Sequence, residues 1–136
     1  MKKILLVVLL ILSSLFAHAQ KHKHKKDVAD TFPPPPRVWV ANIHTYYTTR
    51  DSILAKPMLS TDSVGCRVSG FTVSLQAPGH DFYGPLYSNT WEMTEVQKNV
   101  IKQWDYPDVT MYIQDIHLNC HEKDATSPAF KLSFSH

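Results

Sequence analysis

The sequence carries none of the short patterns that assemble chemistry on a chain. There is no phosphate-binding loop, dinucleotide fingerprint, nucleophile elbow, C-x-x-C or H-E-x-x-H. A surplus of positive charge is also missing from the part able to fold. From residue 37 onward, 8 Lys and Arg stand against 10 Asp and Glu. A nucleic-acid binder spreads Lys and Arg over a folded face, so this balance argues against one. No internal repeat is visible, and the 100 residues from 37 to 136 leave room for one small domain with its own core. Cysteine is limited to Cys66 and Cys120. In an oxidising compartment they close a loop of about 55 residues, a constraint valued at roughly 4 kcal/mol by the chain-entropy model. The alternative is a pair of buried reduced thiols, because bridging requires a closeness that spacing does not reveal.

The first segment that is present reads as an address. In MKKILLVVLLILSSLFAHAQ, Lys2 and Lys3 form a basic start, Ile4 to Leu12 an apolar run, and Ala17-His18-Ala19 a small-residue cleavage pattern. Residues 1–19 are therefore expected to be a secretory signal peptide, and the run is short for the roughly 20 residues of a spanning helix. No cysteine follows the small residues to accept a lipid. The expected destination is the periplasm or the exterior, with no stable membrane insertion after cleavage. Residues 20–36 combine Lys21, Lys23, Lys25 and Lys26 with the run Pro33 to Pro36. This composition predicts a disordered basic tip on a polyproline II spacer, a tether.

Strand-like writing follows. RVWVANIHTYYTT (37–49) is rich in β-branched and aromatic residues. In RDSILAKPMLSTD, Asp51 or Ser52 is positioned to cap a helical turn over Ile53 to Ala55 before Pro57. CRVSGFTVSLQ (66–76) alternates Phe71, Val73 and Leu75 with Thr72 and Ser74, which predicts one buried and one wet face. APGHDFYG reads as a loop, with a short strand through Leu86 and Tyr87 after it. A helix is expected from Thr94, with Gln97 completing a capping box. Val96, Val100, Ile101 and Trp104 are its expected apolar stripe, while Glu95, Gln97, Lys98, Asn99 and Lys102 face water. DVTMYIQDIHLNC (108–120) is a strand whose apolar phase changes near Gln114-Asp115, the mark of a bulge or a change of buried face. HEKDATSP reads as a turn, and AFKLSFSH as a last strand. The expected fold is mostly β, an antiparallel β-sandwich with one amphipathic α-helix, in a domain spanning 37–136.

Polar residues that hold metals or nucleophiles are thinly spread. His22 and His24 lie between lysines that repel cations, and two ligands do not fill a tetrahedral site. His117 and His121 flank Cys120, but residues 117 and 120 of one strand point to opposite faces. These four histidines are the metal candidates, set against solvated side chains. A Cys120–His nucleophile pair is disfavoured because a lone thiol is consumed in an oxidising compartment. The helix offers one carboxylate, Glu95, suited to its N-terminal dipole and lacking an acid–base partner. The expectation is no catalytic residue, no cofactor and no bound metal. The surface marked for recognition is Tyr87, Trp91 and Trp104, amphipathic rings that flank the helix.

In order, CRVSGFTVSLQ, SNTWEMTEVQKNVIK (88–102), VTMYIQDIHL (109–118) and AFKLSFS (129–135) resemble the C-terminal domain of GldM, the gliding-motility protein of the type IX secretion machinery, and of its PorM relatives. The resemblance rests on Val68 to Ser74, Ser88-Asn89, Met93-Thr94, Asn99, Ile101-Lys102 and Val109 to Ile116, with SILAKPML (52–59) upstream. It covers about the last 85 residues, nearly all of the foldable part. It implies an Ig-like β-sandwich used as a protein-interaction module in the bacterial envelope, with envelope proteins as partners. No catalytic signature belongs to the series.

Overall fold

The computed structural model describes residues 36–135, which fall within one compact unit. The expected signal peptide (1–19), the tether except Pro36, and the candidates His22 and His24 lie outside the described residues. The mostly-β class is as expected. Among the described residues, two sheets and two helices run in the order β1 (Val38–Val40), β2 (Tyr47–Thr49), α1 (Arg50–Ala55), β3 (Leu59–Thr61), β4 (Cys66–Gln76), β5 (Tyr83–Ser88), α2 (Glu95–Gln103), β6 (Val109–Cys120), β7 (Lys123–Ser127) and β8 (Phe130–Ser135).

The larger sheet has six strands, ordered β2-β8-β6-β4-β5, with β7 pairing the far half of β6. Its centre is the β4–β6 pair, antiparallel from Cys66↔Cys120 to Gln76↔Thr110. The phase change in β6 is a bulge, where Asp115 takes φ 47°. Register shifts on both sides of Gly70 show that β4 carries a compensating irregularity. Buried positions accordingly change parity in both strands, from Val109, Met111 and Ile113 to Ile116 and Leu118, and from Leu75, Val73 and Phe71 to Val68. Either bulge alone would have turned half of its strand inside out. Together they keep one continuous core face.

That face is covered by a second layer made of a two-stranded sheet, β1-β3, and the two helices. Val40, Ile53, Leu59, Met93, Val100 and Ile101 from this layer form one cluster with the buried residues of β4, β6 and β8. Leu59 N–H donates to Trp91 O at 2.8 Å and Met93 N–H to Pro57 O at 2.8 Å, so the segment leading into α2 is laced to β3. The Arg50 guanidinium donates to Lys102 O at 3.2 Å and pairs with Asp105 at 3.1 Å, fixing α1 to the C-terminal end of α2.

Several details differ from the expectations. The stretch 37–49 is two short strands, because Ala41 and Asn42 take φ 52° and 58° and turn the chain between them. β2 then pairs β8 in parallel, so the larger sheet is not wholly antiparallel. α1 is a second helix, capped by Thr49 rather than by Asp51 or Ser52. The wet face expected of β4 is covered, since Gly70 to Leu75 are all buried, Thr72 and Ser74 included. Tyr87 stands beside Thr72 and Tyr112 beside Ser74 in register, and the Gly84 backbone packs directly on Ser74.

HEKDATSP is a strand after a two-residue turn, with His121 and Glu122 at φ 49° and 64°. Both central residues at positive φ make it the mirror-image turn that suits strand twist. A β-branched or charged residue in that region costs roughly 1–2 kcal/mol, against about 0.5–1 kcal/mol for glycine's extra unfolded-state entropy. Glu122→Gly should therefore raise the urea midpoint, by the equivalent of about 0.5 kcal/mol.

Candidate functional site

The two cysteines meet. Cys66 and Cys120 are register partners at the end of the β4–β6 pair, with Sγ atoms 2.06 Å apart and Cα atoms 4.0 Å apart. With its sulfur bonded, Cys120 does not join His117 and His121 as a ligand. His117 is exposed on β6, and His121 sits in the turn with its ring against Gly65. Among the described residues, no three His, Cys, Asp or Glu side chains are grouped to hold a metal ion.

The helix keeps its expected cap. Gln97 N–H donates to Thr94 Oγ1 at 3.2 Å and Thr94 N–H to Gln97 Oε1 at 2.8 Å. The buried face, however, is rotated from the expected stripe. Gln97 is 0% exposed, whereas Val96 is 60% exposed. Positions 97, 100, 101 and 104 form the inward stripe, at the i, i+3, i+4, i+7 spacing of a helix face. Gln97 tolerates burial because its amide is satisfied at both ends. Its Nε2 donates to Leu86 O at 2.8 Å, closing part of the open edge of β5. Gln97→Leu keeps the volume but strands Thr94 N–H and Leu86 C=O, and should cost about 2 kcal/mol in urea unfolding. Val96→Lys should change it within about 0.5 kcal/mol.

Glu95 is held below the usual carboxylate range by its hydrogen bond and charge interaction with Lys98. The group is solvent-facing and complements the first turn of the helix. Ser88, part of the S-N signature, is buried and donates to Glu92 O at 2.7 Å while accepting from Thr90 N–H at 3.3 Å. It shapes the turn into α2.

The three aromatic residues marked for recognition are on the surface in different settings. Tyr87 is 59% exposed on β5 and Trp91 is 42% exposed beside β3 and the start of β4. Trp104 is half-buried and belongs to another group of rings. It lies 5.8 Å from Tyr83 and 5.6 Å, edge-on, from Tyr106, which in turn stacks on His80 at 4.0 Å. Phe82 meets Tyr112 at 5.4 Å. The loop after β4 and the start of β5 thus supply His80 and Tyr83 to a ring cluster at the end of α2. Sequence reading missed them because the partners are distant in the chain.

A groove of about 490 Å³ lies between β1 and the start of β8. Trp39, Ile43, Tyr46, Pro128 and Phe130 give it an apolar lining, and the Trp39 ring meets His44 at 4.5 Å with the planes tilted by 57°. Among the described residues its fully charged side chains are Arg37 and Lys131, and no carboxylate of theirs lines it. Ser127 Oγ donates to Pro36 O at 2.9 Å at one end, and Ser133 N–H to Tyr46 O at 2.8 Å at the other. The only hint in the sequence was the aromatic density of residues 39–47.

These features define a small, mostly-β domain with a cross-strand disulfide and aromatic side chains left in solvent. No protein-family model matches the chain, and no curated protein sequence is significantly similar to it. Among the described residues no helix is long and apolar enough to cross a membrane.

Proposed function

We propose that this protein is a non-catalytic, exported protein-interaction module of the bacterial envelope, in the periplasm or outside the cell. In this reading residues 1–19 direct export, residues 20–36 form a basic, proline-stiffened tether, and residues 37–136 are an Ig-like sandwich akin to the C-terminal domain of GldM and PorM. Association with the type IX secretion or gliding machinery is part of the same reading and rests on the ordered motif series from Cys66 to Ser135. The Cys66–Cys120 bond suits an oxidising compartment.

The observation that carries the interaction role is the number of large aromatic side chains left in solvent on the strands and the loops that join them. Tyr46, Tyr47, Phe82, Tyr83, Tyr87 and Trp91 are all exposed. Aromatic residues are enriched where proteins recognise one another, because they bury large area at small entropic cost. The test is photo-crosslinking in cells of the bacterium that makes the protein, with a photoreactive side chain introduced at Tyr87, Trp91 or Tyr46. Adducts with one or two envelope proteins, absent from exposed control positions such as Asp51, are expected. Absence of adducts at all three positions would remove the reading.

A further inference from the structure

We infer that the groove between β1 and β8 takes an extended acidic peptide segment of a partner protein, added as a strand to the free edge of β8. The inference rests on the interaction role proposed above and names the surface and the chemistry of its partner. Two backbone edges face this groove. β8 is paired by β6 from Phe130 to Phe134, whereas β2 covers only Ser133 to Ser135, leaving Phe130 to Leu132 without a neighbour on that side among the described residues. Ser133 N–H points toward β2, since it donates to Tyr46 O. Backbone direction alternates along an antiparallel strand, so the N–H and C=O of Lys131 point the same way, into the groove.

On the opposite wall, β1 pairs only with β3 among the described residues. Ala41 N–H donates to Met58 O and Asp62 N–H to Arg37 O, which assigns Arg37, Trp39 and Ala41 to the hydrogen-bonding side facing β3. The N–H and C=O of Val38 consequently face away from β3, toward the groove. Lys131 and Val38 thus present main-chain donors and acceptors from two walls. β2 leaves off where the chain bends at Thr45 and Tyr46, and an added strand continues the sheet there. This is the geometry of strand addition, in which main-chain bonds give affinity and side-chain pockets give selectivity.

The lining sets the sequence of the added strand. Alternate side chains enter among Trp39, Ile43 and Phe130, which calls for apolar residues. The intervening ones meet Arg37 and Lys131, neither of which is in an ion pair among the described residues. With two cations at the rim and no carboxylate among the described residues that line it, the groove attracts acidic peptides and repels basic ones.

The probe is a dye-labelled peptide, Glu-Val-Glu-Phe-Glu-Val-Glu, with the same peptide carrying Lys for Glu as its counterpart. Each is titrated by fluorescence anisotropy against the full exported protein at low salt. The acidic peptide should bind at least about ten-fold tighter, and Arg37→Glu with Lys131→Glu should reverse the preference. Both substitutions are at exposed positions, and circular dichroism checks that the fold is kept. N-methylation of the three apolar residues should abolish binding. In amide exchange, the bound peptide should slow Val38 and Lys131 relative to the free protein.

Equal affinity for the two peptides, no binding of either, or binding without protection of Val38 and Lys131 would overturn the inference. Protection of those amides by self-association alone would overturn it too. If these outcomes occur while cross-links through Tyr87 or Trp91 persist, the groove assignment falls and the interaction role stands. If cross-linking fails at all positions, the interaction role falls whatever the peptide does.

Discussion

Replacing both cysteines, Cys66→Ala with Cys120→Ala, should destabilise the domain by about 4 kcal/mol. The bond closes a sequence separation of 54 residues, and the unfolded chain regains that loop's freedom when the bond is removed. The separation contains β5, α2 and most of β4 and β6, so nearly all of the sheet's centre lies inside the loop. For a domain of this size total stability is about 5–15 kcal/mol, and the loss corresponds to a fall in Tm of roughly 15–30 °C. The double substitution is preferred to a single one because it leaves no free thiol. Urea unfolding of the variant, beside the parent with and without reductant, measures the effect. A variant whose midpoint equals that of the oxidised parent would show that the bond contributes no stability.

The second large effect is expected at Gly84. Its φ is +120°, in a region that side chains rarely enter, and an added Cβ would lie 2.9 Å from Val73 O, 2.9 Å from Ser74 Oγ and 3.1 Å from Ser74 Cα. The obstruction is mostly backbone of β4, which is held by strands on both sides at Val73. β5 would have to move away, loosening Val73↔Leu86 and Leu75↔Tyr83. Gly84→Ala should cost about 3 kcal/mol from strain and overpacking together. Gly79→Ala provides the control, with φ +77° and nothing within 4 Å of the added Cβ. It carries the backbone strain alone and should cost about 1 kcal/mol. Equal urea midpoints for the two variants would mean that the contact with β4 is not what demands glycine at 84.

The readability of this chain follows the range of the interactions concerned. β4, β6 and β8 are long and patterned, and each came within a residue or two of its bounds. The capping box at Thr94 and Gln97 was legible because all of its partners lie within one helical turn. β7 was not legible, because its residues are exposed or half-buried on both faces and so carry no apolar alternation; its pairing with β6 follows instead from the turn at His121 and Glu122. The inward stripe of α2 was misread at two neighbouring positions. Apolarity favoured Val96, but Leu86 O on another strand offered Gln97 a partner and made its burial tolerable. Of the three aromatic residues marked for recognition, Trp104 was drawn into a ring cluster whose other members are His80, Tyr83 and Tyr106.

The sequence by itself determined the mostly-β class, the position and cap of the main helix, the long strands and the two residues able to form a disulfide. These depend on periodicity and on contacts a few residues apart. Only the tertiary structure decided that bulges in β4 and β6 change phase together, that Cys66 and Cys120 are register partners, and that β2 joins β8 in parallel and stops short. The groove and its two open edges follow from that last choice. A strand's free edge is defined by where its neighbour ends, and that neighbour is 86 residues away in the chain, as Tyr47 is from Ser133, beyond the reach of any local pattern.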